Sequence, residues 1–309
     1  MAKEGVAILG IYVADLAFTA KRQPVMGETL LGAKFAMGPG GKGSNQSVAA
    51  ARAGGKVTFI SKVGKDNFGD AALAMYAREG ISANVEQLSD TSTGAAYIFL
   101  EEATGNNAII VVPGAADRIT VADVEKNADA IRSSRVFMTQ LEVPLTAGMR
   151  ALEIAREAGA ITILNTAPFV PIDDAMLRLA DYATPNESEA SALTGVEVKD
   201  LDTARKAGDI LLKKGAATAL ITLGSQGSLL HSASGSVHIT AFAAGPVVDT
   251  TGAGDAFNGG FAAALSFGET PLQAARFGSA TAGISVTRPG TAPSMPKREE
   301  ILKLLALSA

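Results

Sequence analysis

The stretch Asp249-Thr-Thr-Gly-Ala-Gly-Asp255 runs directly into the apolar, small-residue segment Ala256 to Leu265, and this order predicts a glycine-rich turn that opens a helix. The first turn of a helix presents unpaired backbone N–H groups at the positive end of the helix dipole, so it binds anions readily. Asp255 adds a carboxylate, which either only favours the dipole or accepts a proton from an attacking hydroxyl. The second reading suits phosphoryl transfer to an alcohol, where positioning and charge neutralisation supply most of the catalysis.

A second glycine-rich stretch, Gly40-Gly-Lys-Gly-Ser-Asn-Gln46, lies near the other end of the chain and precedes another helical segment. Its glycines allow close backbone approach to a polyhydroxylated ligand, and Lys42 and Asn45 offer hydrogen-bond donors. The G-x-G-x-x-G spacing from Gly38 to Gly43 also fits a dinucleotide site. That interpretation is disfavoured because the acidic residue expected about 20 positions further on is missing, the first candidate being Asp66. The stretch is not an NTPase phosphate loop either, since the lysine precedes the last glycine.

Composition restricts the class of protein. The chain has 309 residues, 47% of them apolar, which is enough for one large α/β domain or two smaller ones. It has no cysteine, which excludes disulfides and thiolate zinc sites, and its only histidines are His231 and His238. A net charge of −4 argues against a nucleic-acid partner. The apolar run Val6 to Val13 is too short to span a membrane, so we expect a soluble cytoplasmic protein without a membrane partner.

Apolar strand patterns alternate with helical patterns along most of the chain, which predicts a mainly parallel sheet covered on both faces. The predicted strands are Val6–Ile11, Val57–Val63, Arg135–Leu141, Ala160–Leu164, Asp181–Ala183 and Ala219–Leu223. The predicted helices are Ser44–Ala53, Phe68–Glu79, Leu145–Ala158, Asn186–Leu193, Thr203–Lys214, Gly254–Phe267 and Leu272–Val286.

Two segments, at about residues 14–37 and 93–112, break this rhythm. The first has no convincing helix, and the second reads as the strands Gly94–Leu100 and Ala108–Val112 joined by a hairpin loop. A few strands cannot bury a face alone, so they should form a small sheet packed over something else. We therefore predict a single domain over residues 1–309 that carries a small inserted β-sheet.

Polar residues follow several predicted strands, at the edge where α/β proteins bind ligands. Asp15 follows the first strand and Glu142 follows the strand that ends at Leu141, although either residue also fits a turn or solvent-exposed position. Asn186 and Glu189 are three apart at the start of a helix, so they share a face. They equally fit a simple capping box.

The two glycine-rich motifs, in this order and near these ends, resemble those of the ribokinase-like (PfkB) family of sugar and nucleoside kinases, over nearly the whole chain. The resemblance implies a doubly wound α/β fold with a β-sheet lid. It also implies transfer of the ATP γ-phosphate to the primary hydroxyl of a pentose such as ribose, with Mg²⁺ accompanying ATP and K⁺ as a monovalent activator. Lids of this family often pair, so the resemblance implies a homodimer formed through the lid strands.

The resemblance also implies a role for each matching residue. Asp255 would be the general base, and the N–H groups of Gly252, Ala253 and Gly254 would form the anion hole. The sugar would contact Val13, Asp15, Gly41, Lys42, Gly43, Asn45 and Glu142. ATP would contact Asn186, Thr222, Gly224, Ser225, Gly227, Gly254 and Ser279, with Asn186 and Glu189 ordering water around Mg²⁺. K⁺ would be surrounded by Asp249, Thr251, Ser285, Arg288, Gly290 and Ser294, mostly through backbone oxygens.

One position departs from the family pattern. Members of the ribokinase type usually carry asparagine two residues before the sugar-binding aspartate, and here that position is Val13. Valine cannot form a side-chain hydrogen bond, so 2-deoxyribose, a hexose or a nucleoside remains an alternative substrate. The absence of Trp leans against a nucleoside, which would need an aromatic platform. A non-catalytic sugar sensor on the same fold is the alternative of a different class.

Overall fold

A computed structural model describes residues 3–307 of the chain. Its strands are β1 (Val6–Leu9), β2 (Val13–Ala20), β3 (Lys34–Gly40), β4 (Val57–Gly64), β5 (Ser82–Leu88), β6 (Thr93–Glu101), β7 (Asn107–Gly114), β8 (Val136–Gln140), β9 (Ile161–Asn165), β10 (Tyr182–Ala183), β11 (Thr218–Thr222), β12 (Ser228–Ser232) and β13 (Gly235–Ile239). Its helices are α1 (Lys42–Arg52), α2 (Asn67–Arg78), α3 (Val121–Lys126), α4 (Ala128–Ser133), α5 (Leu145–Glu157), α6 (Asp174–Leu177), α7 (Glu187–Thr194), α8 (Leu201–Lys214), α9 (Ala253–Ser266), α10 (Pro271–Ser285) and α11 (Arg298–Ala306).

The main sheet has nine strands in the order β13-β12-β11-β10-β9-β8-β1-β4-β5. Strands β1, β4, β5, β8, β9, β10 and β11 pair in parallel, and β12 and β13 continue the sheet antiparallel. Alternate residues face opposite layers: Ile8 packs with α1, α2, α9, α10 and α11, whereas Ala7 and Leu9 pack with α3 to α8. The predicted doubly wound α/β fold is confirmed.

The strand order of the main sheet reverses at β1. The chain proceeds from β1 to β4 on one side and later returns to β8 on the other. Ligands of open α/β sheets bind at such a point. Gly10 follows β1 and touches Gly43 of α1 so closely that a Cβ on either residue would lie 2.6 Å from the other's Cα. This contact brings the start of α1 to the carboxyl edge of the sheet.

The second sheet has four strands in the order β3-β2-β6-β7 and corresponds to the predicted lid. Cross-strand register puts Leu16 and Phe18 on the same face as Phe35, Met37 and Tyr97. Phe18, Phe35 and Met37 are exposed there. Residues 13 and 15 of β2 alternate with 16 and 18, so they point to the opposite face.

Several elements were not anticipated from the sequence, among them β5, β13, α3, α4, α6 and α11. Strand β5 is an edge strand with the sequence SANVEQL, which lacks an apolar run because most of its side chains are half-buried or exposed. Helices α3 and α4 have only six residues each, too short for a clear helical period. Within residues 3–307, no helix is long and apolar enough to cross a membrane.

Candidate active site

Asp255 lies in the first turn of α9, and its side chain is buried, with 7% of the residue exposed. Both carboxylate oxygens accept amide hydrogen bonds from α1. Asn45 Nδ2 donates to Oδ2 and Gln46 Nε2 donates to Oδ1, each at 3.0 Å. Burial raises the pKa of Asp255, while Lys42 and these two donors oppose the shift. The two glycine-rich motifs therefore meet at one carboxylate.

The turn before Asp255 is where the family resemblance predicts an anion hole. Gly252 caps α9 with a φ of 78°, a left-handed conformation that strongly favours glycine. A Cβ at Gly254 would meet nothing within 4 Å, so open space lies beside this turn. One detail differs from the expected anion hole: the Ala253 N–H already donates to Thr250 O at 3.2 Å.

A cavity of about 160 Å³ opens in front of this turn. It brings together members of the predicted catalytic, sugar and nucleotide sets. Its lining consists of Lys42, Asn165, Ala167, Thr184, Asn186, Glu189, Thr222, Thr250, Gly252, Ala253, Gly254, Asp255 and Asn258.

Lys42 is the cation at the centre of an acidic cluster. It is the first residue of α1, and its backbone N–H donates to Glu142 Oε2 at 2.8 Å. Burial lowers the pKa of the Lys42 ammonium, but Asp255, Glu142 and Glu189 outweigh this effect and hold the pKa above its ordinary value. The ammonium is therefore charged at neutral pH and neutralises part of the surrounding negative charge.

Asp15 and Glu142 are the two other predicted sugar-binding carboxylates. Asp15 lies against Gly40, where a Cβ would collide with its carboxylate, and Val13 is on the same face of β2. Burial raises the pKa of Asp15 to about 6, with a further contribution from Asp255. Burial also raises the pKa of Glu142 to about 7, although Lys42 opposes this shift. Carboxylate oxygens are acceptors for sugar hydroxyls, and vicinal diols can engage both oxygens of one group.

Asn186 and Glu189 form the capping box that their spacing predicts. Asn186 Oδ1 accepts from the Glu189 N–H at 2.9 Å, and the Asn186 N–H donates to Glu189 Oε2 at 3.0 Å. Both residues also line the cavity, so capping and a ligand role are compatible. Burial raises the pKa of Glu189.

The remaining nucleotide-set residues lie outside the cavity lining. Gly224 and Ser225 are in a 3₁₀ turn that joins β11 to β12, and Gly227 follows it with a φ of 93°. This stretch is therefore the connection between two adjacent antiparallel strands. Ser279 is a buried residue of α10.

Asp249 is hydrogen-bonded both to the turn before Asp255 and to the segment around Gly290. Its Oδ1 accepts from the Thr251 N–H and its Oδ2 from the Gly290 N–H, both at 2.9 Å. Burial raises the pKa of Asp249, but these hydrogen bonds outweigh it and keep the pKa below its ordinary value. Ser285 and Ser294 donate their hydroxyls to backbone carbonyls, which leaves oxygen lone pairs for a cation. The Arg288 side chain pairs with Glu300, so only its backbone can face that site.

Sequence reasoning missed four polar residues of this site: Gln46, Asn165, Thr184 and Asn258. All four are buried, and all are hydrogen-bonded near Asp255. Their signal was available, because Asn165 and Thr184 follow strands at the ligand-binding edge and Asn258 interrupts an apolar helix. Gln46 is the last residue of the second glycine-rich stretch, in which the sequence predicted roles only for residues up to Asn45.

Known proteins share both the fold and the sequence pattern. Residues 3–298 match the model of the pfkB family carbohydrate kinases. The chain belongs to this family. A ribokinase from Haemophilus influenzae is 39% identical over 304 residues, which cover 98% of this chain and 99% of that protein. A deoxyribokinase from Salmonella typhi is 35% identical over 305 residues, covering 98% and 99%. The structure of Arabidopsis thaliana ribokinase complexed with ribose and ATP superposes with a TM-score of 0.92 and 30% identity, covering 99% of each chain.

Membership of this family confirms the prediction of a phosphotransferase whose acceptor is a sugar hydroxyl. It also rules against the interpretation of the G-x-G-x-x-G spacing as the dinucleotide site of an oxidoreductase. The assignment of the acidic cluster around Lys42 to the sugar stays a prediction.

The raised pKa values predict how stability depends on pH. In an unfolded chain the pKa of Asp is about 3.9 and that of Glu is about 4.3. In the folded protein burial raises the pKa of Asp15 to about 6 and the pKa of Glu142 to about 7. Between these limits the folded state binds more protons, so the contribution of the pair to the free energy of unfolding falls as pH rises. We expect Asp15→Asn with Glu142→Gln to gain Tm relative to the native protein at pH 8 and much less at pH 5.

Scanning calorimetry of the ligand-free proteins at both pH values measures this difference. Asp129→Asn is the matched control, because its side chain is fully exposed. A double variant whose Tm advantage is the same at pH 5 and pH 8 would contradict the assignment.

Proposed function

We propose that the protein transfers the γ-phosphate of ATP to the primary hydroxyl of D-ribose, giving ribose 5-phosphate. The observation that carries this proposal is Asp255, a buried carboxylate held by two amides in the first turn of α9, beside a turn shaped for an anion. The ribokinase relatives and the ribokinase neighbour complexed with ribose and ATP support the choice of both substrates.

In the proposed reaction the sugar hydroxyl attacks the γ-phosphorus of ATP. A new O–P bond forms, the bond to the ADP oxygen breaks, and Asp255 takes the hydroxyl proton. Backbone N–H groups of Gly252 to Gly254 stabilise the charge on the transferred group. The weak bond from Ala253 to Thr250 O would exchange for a phosphate oxygen. Lys42, which also lines the cavity, adds a positive charge.

The sugar would lie between the lid and the main sheet. Asp15 reaches it from β2, Glu142 from the end of β8, and Asn45 from α1. The missing side chains of Gly41 and Gly43 let the start of α1 pack against Ile11 and Gly10, which holds Lys42 and Asn45 at the site. Asp15 and Glu142 accept hydrogen bonds from hydroxyls, which favours their ionised forms once sugar binds.

The nucleotide and metal assignments follow the cavity and the family resemblance. Asn186 and Glu189 would order water around the Mg²⁺ that accompanies ATP, a sparse set that suits a metal which keeps most of its waters. Mg²⁺ supplies neutralisation of the phosphate charge. The rest of ATP would extend over Thr222, the Gly224–Ser225 turn, Gly227 and Ser279.

A monovalent cation, K⁺, fits the neighbourhood of Asp249. The carboxylate brings a negative charge, and its two backbone hydrogen bonds leave further lone pairs free. Ser285 and Ser294 are buried in the segment that Asp249 contacts. A cation there would hold the backbone of the anion-site turn in place.

The exposed apolar face of the lid supports a homodimer. Phe18, Phe35 and Met37 lie together on that face, and an aromatic pair at 5.0 Å links the first two. An identical lid is a partner of matching apolar character. We also propose that the whole chain is one domain with an inserted lid and that it works in the cytoplasm.

Val13 supports 2-deoxyribose as the second candidate substrate. It is buried and lies two positions before Asp15 on the same face of β2, between Gly40 of β3 and Gly94 of β6. A sugar hydroxyl facing this apolar side chain would lose hydrogen bonds to water, at a cost of roughly 1–3 kcal/mol. The deoxyribokinase relative is nearly as similar to this chain as the ribokinases are.

The base assignment predicts the effect of Asp255→Asn. Asparagine matches the shape but cannot take the proton, so we expect kcat to fall by about 10²–10⁴ while the sugar Kd changes far less. ADP release measured over ribose, 2-deoxyribose, a hexose and a nucleoside gives the rates, and titration calorimetry gives the Kd. Near-normal kcat in the variant would rule out Asp255 as base, and sugar binding without ADP release in the native protein would favour a sensor.

The cation assignment predicts faster turnover in K⁺ than in Na⁺ at saturating ATP and sugar, because an ordered turn presents its N–H groups before phosphate arrives. Asp249→Ala should abolish the difference, and the shape-matched Asp249→Asn should reduce it. Initial rates in the two chloride salts at equal ionic strength measure the effect. Equal rates for the native protein would refute the assignment.

Val13 predicts a change in sugar preference. We expect Val13→Asn to shift the ratio of kcat/KM for ribose over 2-deoxyribose towards ribose by roughly tenfold, the scale of one hydrogen bond. Val13→Ala stays apolar and is the control, in which the ratio should hardly move. An unchanged ratio in Val13→Asn would mean that residue 13 does not contact the sugar at its 2-position.

A further inference from the structure

Gln46 is a fully buried amide that uses its polar atoms on three partners. Its Nε2 donates to Asp255 Oδ1 and to Asn165 Oδ1, both at 3.0 Å, and its Oε1 accepts from Gln140 Nε2 at 2.6 Å. Gln46 is one residue beyond the sugar-contacting Asn45 and is absent from the lining of the cavity.

The direction of every hydrogen bond in this group follows from the charge of Asp255. An ionised carboxylate only accepts, so the amide that faces it must present NH₂. The opposite end of Gln46 is then a carbonyl, to which Gln140 must donate. The Gln140 Oε1 that remains has no partner within the described structure and lies between Gly10 and Gly43, where a Cβ would come within 2.8 Å. The orientation that points the Gln46 amide at Asp255 therefore leaves Gln140 Oε1 buried without a hydrogen bond.

The same chain of amides and hydroxyls reaches the anion-site turn. Asn165 Nδ2 donates to Thr184 O at 2.9 Å, and Thr184 Oγ1 donates to Asn258 Oδ1 at 2.7 Å. Asn258 Nδ2 then donates to Gly254 O at 2.9 Å. One continuous buried network therefore joins the carboxylate of Asp255 to the backbone that faces the transferred phosphoryl group.

Charged groups from several elements influence the ionisation of Asp255. Lys42 of α1 favours the ionised form, and Asp15 of β2, Glu142 after β8 and Glu189 of α7 are neighbouring acids of the same cluster. Burial opposes ionisation, and the amide donors of Asn45 and Gln46 support it. Of these two amide donors, Gln46 is the one held in place by further buried residues, Asn165 and Gln140.

We propose that Gln46 is a positioning residue for the base: it holds Asp255 ionised and in one orientation, and it links that orientation to the phosphoryl-binding turn through Asn165, Thr184 and Asn258. This inference rests on the proposed role of Asp255. Gln46 does not touch the sugar, so its effect is on the proton-accepting step and not on sugar affinity.

The test is Gln46→Met, which keeps the length of the side chain and removes its donor. We expect kcat to fall roughly ten- to hundredfold at pH 7, the scale of a hydrogen bond to a charged group, with little change in the sugar KM. The acid limb of the pH profile of kcat/KM should move to higher pH, because Asp255 loses a group that stabilises its ionised form.

Tyr76→Phe is the matched control for lost stability. The Tyr76 hydroxyl donates to Ser44 Oγ at 2.9 Å, another buried contact on α1 that does not involve Asp255. This variant should lose Tm without moving the pH limb. In the Asp255→Asn background Gln46→Met should cost almost nothing further, since Gln46 acts through the carboxylate.

These outcomes separate the two proposals. If Asp255→Asn is inactive and Gln46→Met leaves the acid limb in place, the positioning role is wrong and the base assignment stands. If Asp255→Asn is active, the base assignment itself is wrong. Should Gln46→Met fail to fold, Gln140→Met provides the same readout without adding a charge. It removes the donor to Gln46 Oε1, so Gln46 is no longer held with its NH₂ towards Asp255, and the acid limb should shift in the same direction. An unmoved limb there would overturn the proposal.

Discussion

A carboxylate buried at the carboxyl edge of the main sheet is the constraint on which the rest of the site depends. Removing the charge of Asp255 from water is expensive unless donors and a counter-charge surround it. Asn45, Gln46 and Lys42 supply them, and all three are on α1. The first turn of α1 must therefore lie against the first turn of α9, and the close contact of Gly10 with Gly43 makes that approach possible.

The acidic excess around Lys42 explains why the site suits an uncharged, hydroxyl-rich acceptor. One ammonium faces Asp255, Glu142 and Glu189. Burial is the main cause of the raised pKa values of Asp15 and Glu142, and the neighbouring carboxylates add to it. In the proposed reaction, sugar hydroxyls would donate hydrogen bonds to these carboxylates, and the phosphates of the nucleotide would meet the turn at Gly252.

The lid contributes residues to both faces of one strand. Strand β2 carries Val13 and Asp15 on its inner face and Phe18 on its exposed apolar face. One strand therefore joins the residues that we propose to contact the sugar to the surface that we propose for dimerisation.

Periodicity predicted the alternation of β and α elements and the two lid strands within residues 93–112, because these are local patterns. The two glycine motifs singled out Asp255 and Lys42 as candidate site residues. The sequence did not reveal β5, α3, α4 or α11, whose edge position or short length leaves no period to read. It also did not reveal that Gln46, Asn165, Thr184 and Asn258 form one hydrogen-bonded chain. Those residues come from separate elements, and only the packing of α1 and α9 against the ends of β9 and β10 makes them neighbours.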